Sequence, residues 1–84
     1  MSRDEIMIAV KQKVVAIIPN LELGSLDPSK PLEEYGGTSL DLVEIISELM
    51  RELRAKVPRS EITDINTIDD IVDLLHKTLA HQQS

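Results

Sequence analysis

The chain has 84 residues and a formal net charge of −6, with 15 Asp and Glu against 9 Lys and Arg. That length holds one small domain, and the acidic balance disfavours nucleic-acid backbones and anionic membranes while favouring basic protein partners. Tyr35 is the single aromatic residue and cysteine is absent, which removes base-stacking platforms, disulfides, thiolate metal sites and a cysteine nucleophile.

The remaining organisation follows from patterning. Residues 1–84 are expected to form one domain, monomeric and cytoplasmic. No apolar run approaches the 18 or so residues of a membrane span, and the opening Met1-Ser2-Arg3-Asp4-Glu5 lacks the basic start and apolar stretch of a signal peptide.

The first element is a helix from about Ser2 to Ile18. Ser2 and Glu5 have the spacing of a capping box, and Ile6, Val10, Val14 and Ile17 repeat at helical intervals. Lys11, Gln12 and Lys13 fall on the other side, and Pro19 ends the helix.

About 20 residues without helical periodicity follow, from Pro19 to Thr38. Leu21, Leu23, Leu26, Leu32 and Tyr35 are expected to pin this connection to the core, so it reads as an ordered loop. Pro31-Leu32-Glu33-Glu34 fits one helical turn with proline at its first position.

The second long helix begins at Thr38, an N-cap with Asp41 three residues on. Leu42, Ile45, Ile46, Leu49 and Leu53 form its apolar stripe. Arg51, Arg54 and Lys56 are expected in its last turns, and Pro58 stops it. A short turn covers Ser60 to Asp64. The last helix starts at Thr67, with Asp70 three residues on and Ile68, Ile71, Val72, Leu75 and Leu79 as its stripe, and frays into His81-Gln82-Gln83-Ser84. The predicted fold is all-α: a four-helix bundle of three long helices and one short, with a long ordered loop between the first two.

Little in this pattern suggests catalysis. The only imidazoles, His76 and His81, sit near the end of the last helix, and no serine has a histidine and acid partner set by spacing. Asp69-Asp70-Asp73 lacks the loop of a calcium site, so no metal is expected. Gly36-Gly37 is too short for a phosphate-binding glycine loop. The informative constellation is Gly36-Gly37-Thr38-Ser39-Leu40-Asp41-Leu42-Val43-Glu44. If Thr38 supplies the cap, the Ser39 hydroxyl is spare at a helix start. A phosphate on that oxygen would lie beside free backbone amides and the positive end of the helix dipole.

Gly36-x-x-Ser39-Leu40-Asp41-x-Val43-Glu44 resembles the attachment motif of acyl carrier proteins and related carrier domains. The resemblance extends over nearly the whole chain: the long loop, the second helix, Val57-Pro58, the short third helix and Ile65-Asn66-Thr67-Ile68 stand in the family's order and spacing. It implies 4′-phosphopantetheine, taken from coenzyme A, on Ser39, and acyl groups held as thioesters on that arm. It also implies partners: a phosphopantetheinyl transferase, and acyl-loading, condensing and modifying enzymes with basic docking patches. Leu40, Asp41, Val43, Glu44 and Glu48 would form the docking face, with the stripe extended to Glu52. Ile46, Val57, Ile62, Ile65 and Ile71 would line an acyl cleft. Ile62 stands where fatty-acid carriers commonly have a small residue, which points to a short or polar cargo. Thr38 replaces the Asp found before the serine in many fatty-acid carriers, and Arg51, Arg54, Lys56 and Arg59 stand where that group is acidic. These departures favour a discrete carrier of a polyketide-type pathway. A peptidyl carrier on the same fold, or an unmodified helical adaptor, are the alternatives.

Overall fold

The computed structural model describes residues 1–82. Four α-helices occur among them: α1 Arg3–Ile17, α2 Ser39–Leu53, α3 Arg59–Ile62 and α4 Ile68–Gln82. Two single 3-10 turns, Leu23–Ser25 and Leu32–Tyr35, lie in the connection between α1 and α2. The expected order of three long helices and one short is present. Of the fraying end expected at His81-Gln82-Gln83-Ser84, His81 and Gln82 are still helical, and Gln83 and Ser84 lie outside the described residues.

Each long helix starts as its cap residues dictate. Ser2 and Glu5 exchange hydrogen bonds at the start of α1, which also holds the Glu5 carboxyl below its ordinary range, chiefly through the Ser2 backbone amide. At α4, the Thr67 hydroxyl accepts from the Asp70 amide, and the Asp70 carboxylate accepts from the amides of Asn66 and Thr67. These bonds satisfy amides that a helix start leaves without partners.

Packing is led by α1, which lies against both α2 and α4. Ile6, Val10 and Val14 meet Ile45, Ile46 and Leu49 of α2 and Ile68, Ile71, Val72 and Leu75 of α4 in one contiguous buried core. The end of α1 differs from expectation: Ile18 is buried, while Ile17 is only partly covered. Ile18 has left the helix with an extended backbone, so its side chain no longer follows the helical period. Arg3 fastens the outer end of α1 to α4 through Asp73 at 2.7 Å and Asp69 at 3.6 Å.

The end of α2 is also corrected. The helix stops at Leu53, and Arg54 takes a left-handed conformation (φ 56°) while the Ala55 amide donates to the Met50 carbonyl. Of the three cations expected in the last turns, only Arg51 lies in the helix; Arg54 and Lys56 lie beyond it. The early stop allows Ala55 and Val57 to enter the core. Similarly, α3 begins one residue earlier than expected and covers a single turn.

The long connection is ordered by specific ties. Leu26 and Leu32 are buried, whereas Leu23 is exposed and pins nothing. The Tyr35 hydroxyl accepts from the Asp27 amide at 2.6 Å. The Leu32 amide donates to the Asn66 carbonyl, and the Asp69 amide to the Pro28 carbonyl. The connection is therefore strapped to the segment entering α4. Gly36 closes the second 3-10 turn at φ 83°, a conformation that costs a side chain roughly 1–2 kcal/mol. Gly37 is needed for another reason: a Cβ there would lie 2.9 Å from Ile18 Cδ1 and 3.0 Å from the Leu32 carbonyl oxygen. Gly37→Ala should therefore destabilise the fold by roughly 1–3 kcal/mol, measured by urea unfolding; unchanged stability would show that the strap yields freely.

Candidate functional site at the start of α2

Gly37 leads directly into the α2 start. The Thr38 hydroxyl accepts from the Asp41 amide at 3.1 Å, and the Asp41 carboxylate accepts from the Thr38 amide at 3.0 Å. This reciprocal box fixes the first turn with Thr38 and Asp41 alone. Ser39 is exposed, and among the described residues its hydroxyl makes no hydrogen bond. The backbone amides of Ser39 and Leu40 have no acceptor within the described residues, as expected at the first helical positions. A free hydroxyl beside two free amides is thus placed at the positive end of a four-turn helix dipole.

Apolar side chains surround it. Leu40 is 81% exposed and Val43 50% exposed, side chains that a monomeric fold does not need there. A cleft of about 380 Å³ opens beside Ser39. Leu32, Leu42, Ile62 and Ile65 form its apolar lining, and Glu33, Thr63 and Asn66 contribute polar groups.

The structure brings together only part of the expected cleft. Ile62 and Ile65 line it. Ile46, Val57 and Ile71 do not; they are buried, Ile46 and Ile71 almost completely. All three belong to the one buried core that also takes in Ile6, Val10 and Val14 of α1. Leu32 and Leu42 take their place as apolar lining. The loop strap that brings Leu32 here was not readable from local periodicity.

The expected acidic stripe is likewise rearranged. Asp41 is held in the cap, and Glu48 lies 3.3 Å from Lys13 of α1. The same ammonium reaches Glu52 at 2.8 Å. Lys13 keeps only 15% side-chain exposure, and its pKa is raised, first by the hydrogen bond it donates to Glu52 and further by the one to Glu48. One cation thus relieves the like-charge spacing of Glu48 and Glu52. Glu44 remains as the exposed acid of the stripe without an ion pair among the described residues. The Asp69-Asp70-Asp73 group is engaged in the Arg3 pairs and the α4 cap.

The family model described as "Phosphopantetheine attachment site" matches residues 10–75. The chain belongs to this carrier family. The acyl carrier protein of Thermotoga maritima is 31% identical to this carrier over 78 residues, covering 93% of this chain and 96% of its own. The polyketide biosynthesis acyl-carrier-protein AcpK of Bacillus subtilis is 26% identical over 76 residues, covering 90% and 93%. A chain in the crystal structure of the curacin biosynthetic pathway HMG synthase in complex with acetyl donor-ACP matches with a TM-score of 0.76 and 31% identity, over 88% of this carrier and 95% of that chain. The acetyl actinorhodin acyl carrier protein from Streptomyces coelicolor, at 20% identity and a TM-score of 0.71, shares the fold.

The carrier's prosthetic group is 4′-phosphopantetheine, and the start of α2 suits it. Its phosphate would meet free amides and a positive dipole end, and the carboxylate of Asp41 in the same helical turn already accepts from Thr38. The two hydroxyls should separate by function: Thr38→Ala should lower stability by about 1 kcal/mol through loss of the cap, while Ser39→Ala should leave thermal unfolding nearly unchanged. Equal losses would mean that Ser39 shares the capping role.

Proposed function

We propose that the chain is an acyl carrier that bears 4′-phosphopantetheine on Ser39 and presents acyl groups to biosynthetic enzymes, acting as one domain in the cytoplasm without catalysing a reaction itself. The carrying observation is the exposed Ser39 hydroxyl, unbonded because Thr38 and Asp41 already cap the helix. When bound, the group supplies a thiol, which a chain without cysteine lacks. Thr38 and Asp41 hold the helix start rigid, Ser39 offers the oxygen, and the Ser39 and Leu40 amides face the position of the phosphate. Leu40 and Val43 give docking enzymes an apolar contact next to the attachment point. The tether raises the effective concentration of cargo at a docked enzyme.

No helix of the described residues is long and apolar enough to cross a membrane, in keeping with a freely diffusing carrier. The AcpK similarity and the Thr38 and Arg51–Arg59 departures support a polyketide-type pathway over fatty-acid synthesis. A phosphopantetheinyl transferase is the partner that loading requires. With coenzyme A and a broad-specificity transferase, the wild-type protein should gain the mass of one phosphopantetheine group and Ser39→Ala none. Modification persisting in that variant would refute the assignment.

The cleft supports a short or polar cargo. Ile62 is a stiff, β-branched side chain at its lining. Glu33, Thr63 and Asn66 add polar groups. An octanoyl chain on the loaded protein should therefore shift the resonances of Leu42, Ile62 and Ile65 only slightly and leave Tm unchanged, whereas Ile62→Ala should permit larger shifts. Large shifts and a raised Tm in the wild type would show that long chains are buried and would overturn this cargo assignment.

A further inference from the structure

The outward side of α2 has a polarity that the net charge conceals. Leu40, Val43, Glu44, Ser47 and Arg51 recur three and four residues apart on one helix face, and Arg54 follows at the cap; all six are exposed. The face is apolar beside Ser39 and basic at its far end. Arg51 and Arg54 stand roughly 18–22 Å along the axis from Ser39 at 1.5 Å per residue. The basic end continues into Lys56 and Arg59, both exposed.

Four of the chain's nine Lys and Arg residues therefore fall between positions 51 and 59, in a molecule of net charge −6. None of the four takes part in an ion pair among the described residues; the ion pairs there use Arg3, Lys13 and Lys77. The one acid within the segment, Glu52, is 2.8 Å from Lys13. The segment is also held in place: the Lys56 backbone amide donates to the Gln82 side-chain oxygen at 2.6 Å, and the Gln82 side-chain Nε2 donates to the Arg54 carbonyl at 2.9 Å. Lys56 and Pro58 border a recess of about 280 Å³ whose other walls are Thr78 and Gln82 of α4 and Glu61, which lies 3.4 Å from Lys77.

We propose that the protein docking along α2 presents an acidic patch to Arg51, Arg54, Lys56 and Arg59, with an apolar socket for Leu40 and Val43 nearer its active-site entrance. The proposal rests on the carrier reading and replaces a uniformly basic partner surface with one graded from apolar to acidic. Charge complementarity selects the occupant. A nucleic acid or lipid surface would carry its negative charge past the basic end and onto Glu33, Glu34 and Glu44, whereas a local acidic patch on a folded protein would not. Of the acids along this face, Glu44 alone asks for a basic group, at the Ser39 end.

The test is a titration of the full-length, ¹⁵N-labelled protein, loaded and unloaded, with a hexaglutamate peptide at low salt. Amide shifts should concentrate at residues 51–59 and vanish at 1 M salt, where screening acts within about 3 Å. The Arg51→Glu, Arg54→Glu double variant should lose them. Lys11→Glu, Lys30→Glu, which changes net charge equally at sites outside the patch, should retain them. Shifts that are absent, spread over the whole surface, or lost equally in both double variants would overturn the proposal. So would stronger perturbation of residues 51–59 by a single-stranded oligonucleotide or by phosphatidylserine vesicles. Because the unloaded protein is titrated too, a failure here is distinct from a failure to modify Ser39.

Discussion

The reciprocal hydrogen bonds between Thr38 and Asp41 are the constraint on which the rest depends. A helix start demands acceptors for its first amides. These two residues provide them, and neither needs Ser39. The serine is consequently left at the first position of the helix with a free hydroxyl and free neighbouring amides. Were Ser39 itself the cap, its oxygen would be tied to the backbone and its chemistry lost. On the proposed reading, attachment and folding fall to adjacent hydroxyls on one turn.

That turn is held in space by the connection before it. Gly37 passes so close to Ile18 and Leu32 that only a glycine fits without adjustment. Leu32 in turn bonds to the Asn66 carbonyl, which fixes the loop against the entrance to α4. The same strap makes one wall of the cleft beside Ser39. The packing that stabilises the long loop therefore also shapes that cleft, and Ile62 and Ile65 line it as well. A change in Leu32 or Asn66 would be felt at the site without touching the serine.

Much of this was legible in the sequence because it is local. The capping boxes at Ser2–Glu5 and Thr38–Asp41, the Thr67–Asp70 start of α4 and the stripes of α2 and α4 depend on residues within a few positions of one another. What escaped was set by tertiary geometry. Arg54 gives no compositional sign of the left-handed cap beyond which Ala55 and Val57 enter the core. Lys13 was read as part of an outer face, and only the packing of α1 on α2 reveals that it pairs with Glu48 and Glu52. The cleft residues were placed by family position. Ile46, Val57 and Ile71 lie in the shared core, while Leu32 enters from a loop whose path has no periodic signature. Leu23 was expected to pin that loop because it is apolar, yet burial depends on where a turn points its side chain.

The central claim is that one hydroxyl among the chain's serines, freed by its neighbour's capping role, carries the prosthetic group. The most direct measurement is fragmentation mass spectrometry of the wild-type protein after loading from coenzyme A, with the modified residue located within the sequence. The account predicts a single phosphopantetheine group on Ser39. A group located on Ser25, Ser29, Ser47 or Ser60, or distributed among several serines, would contradict it.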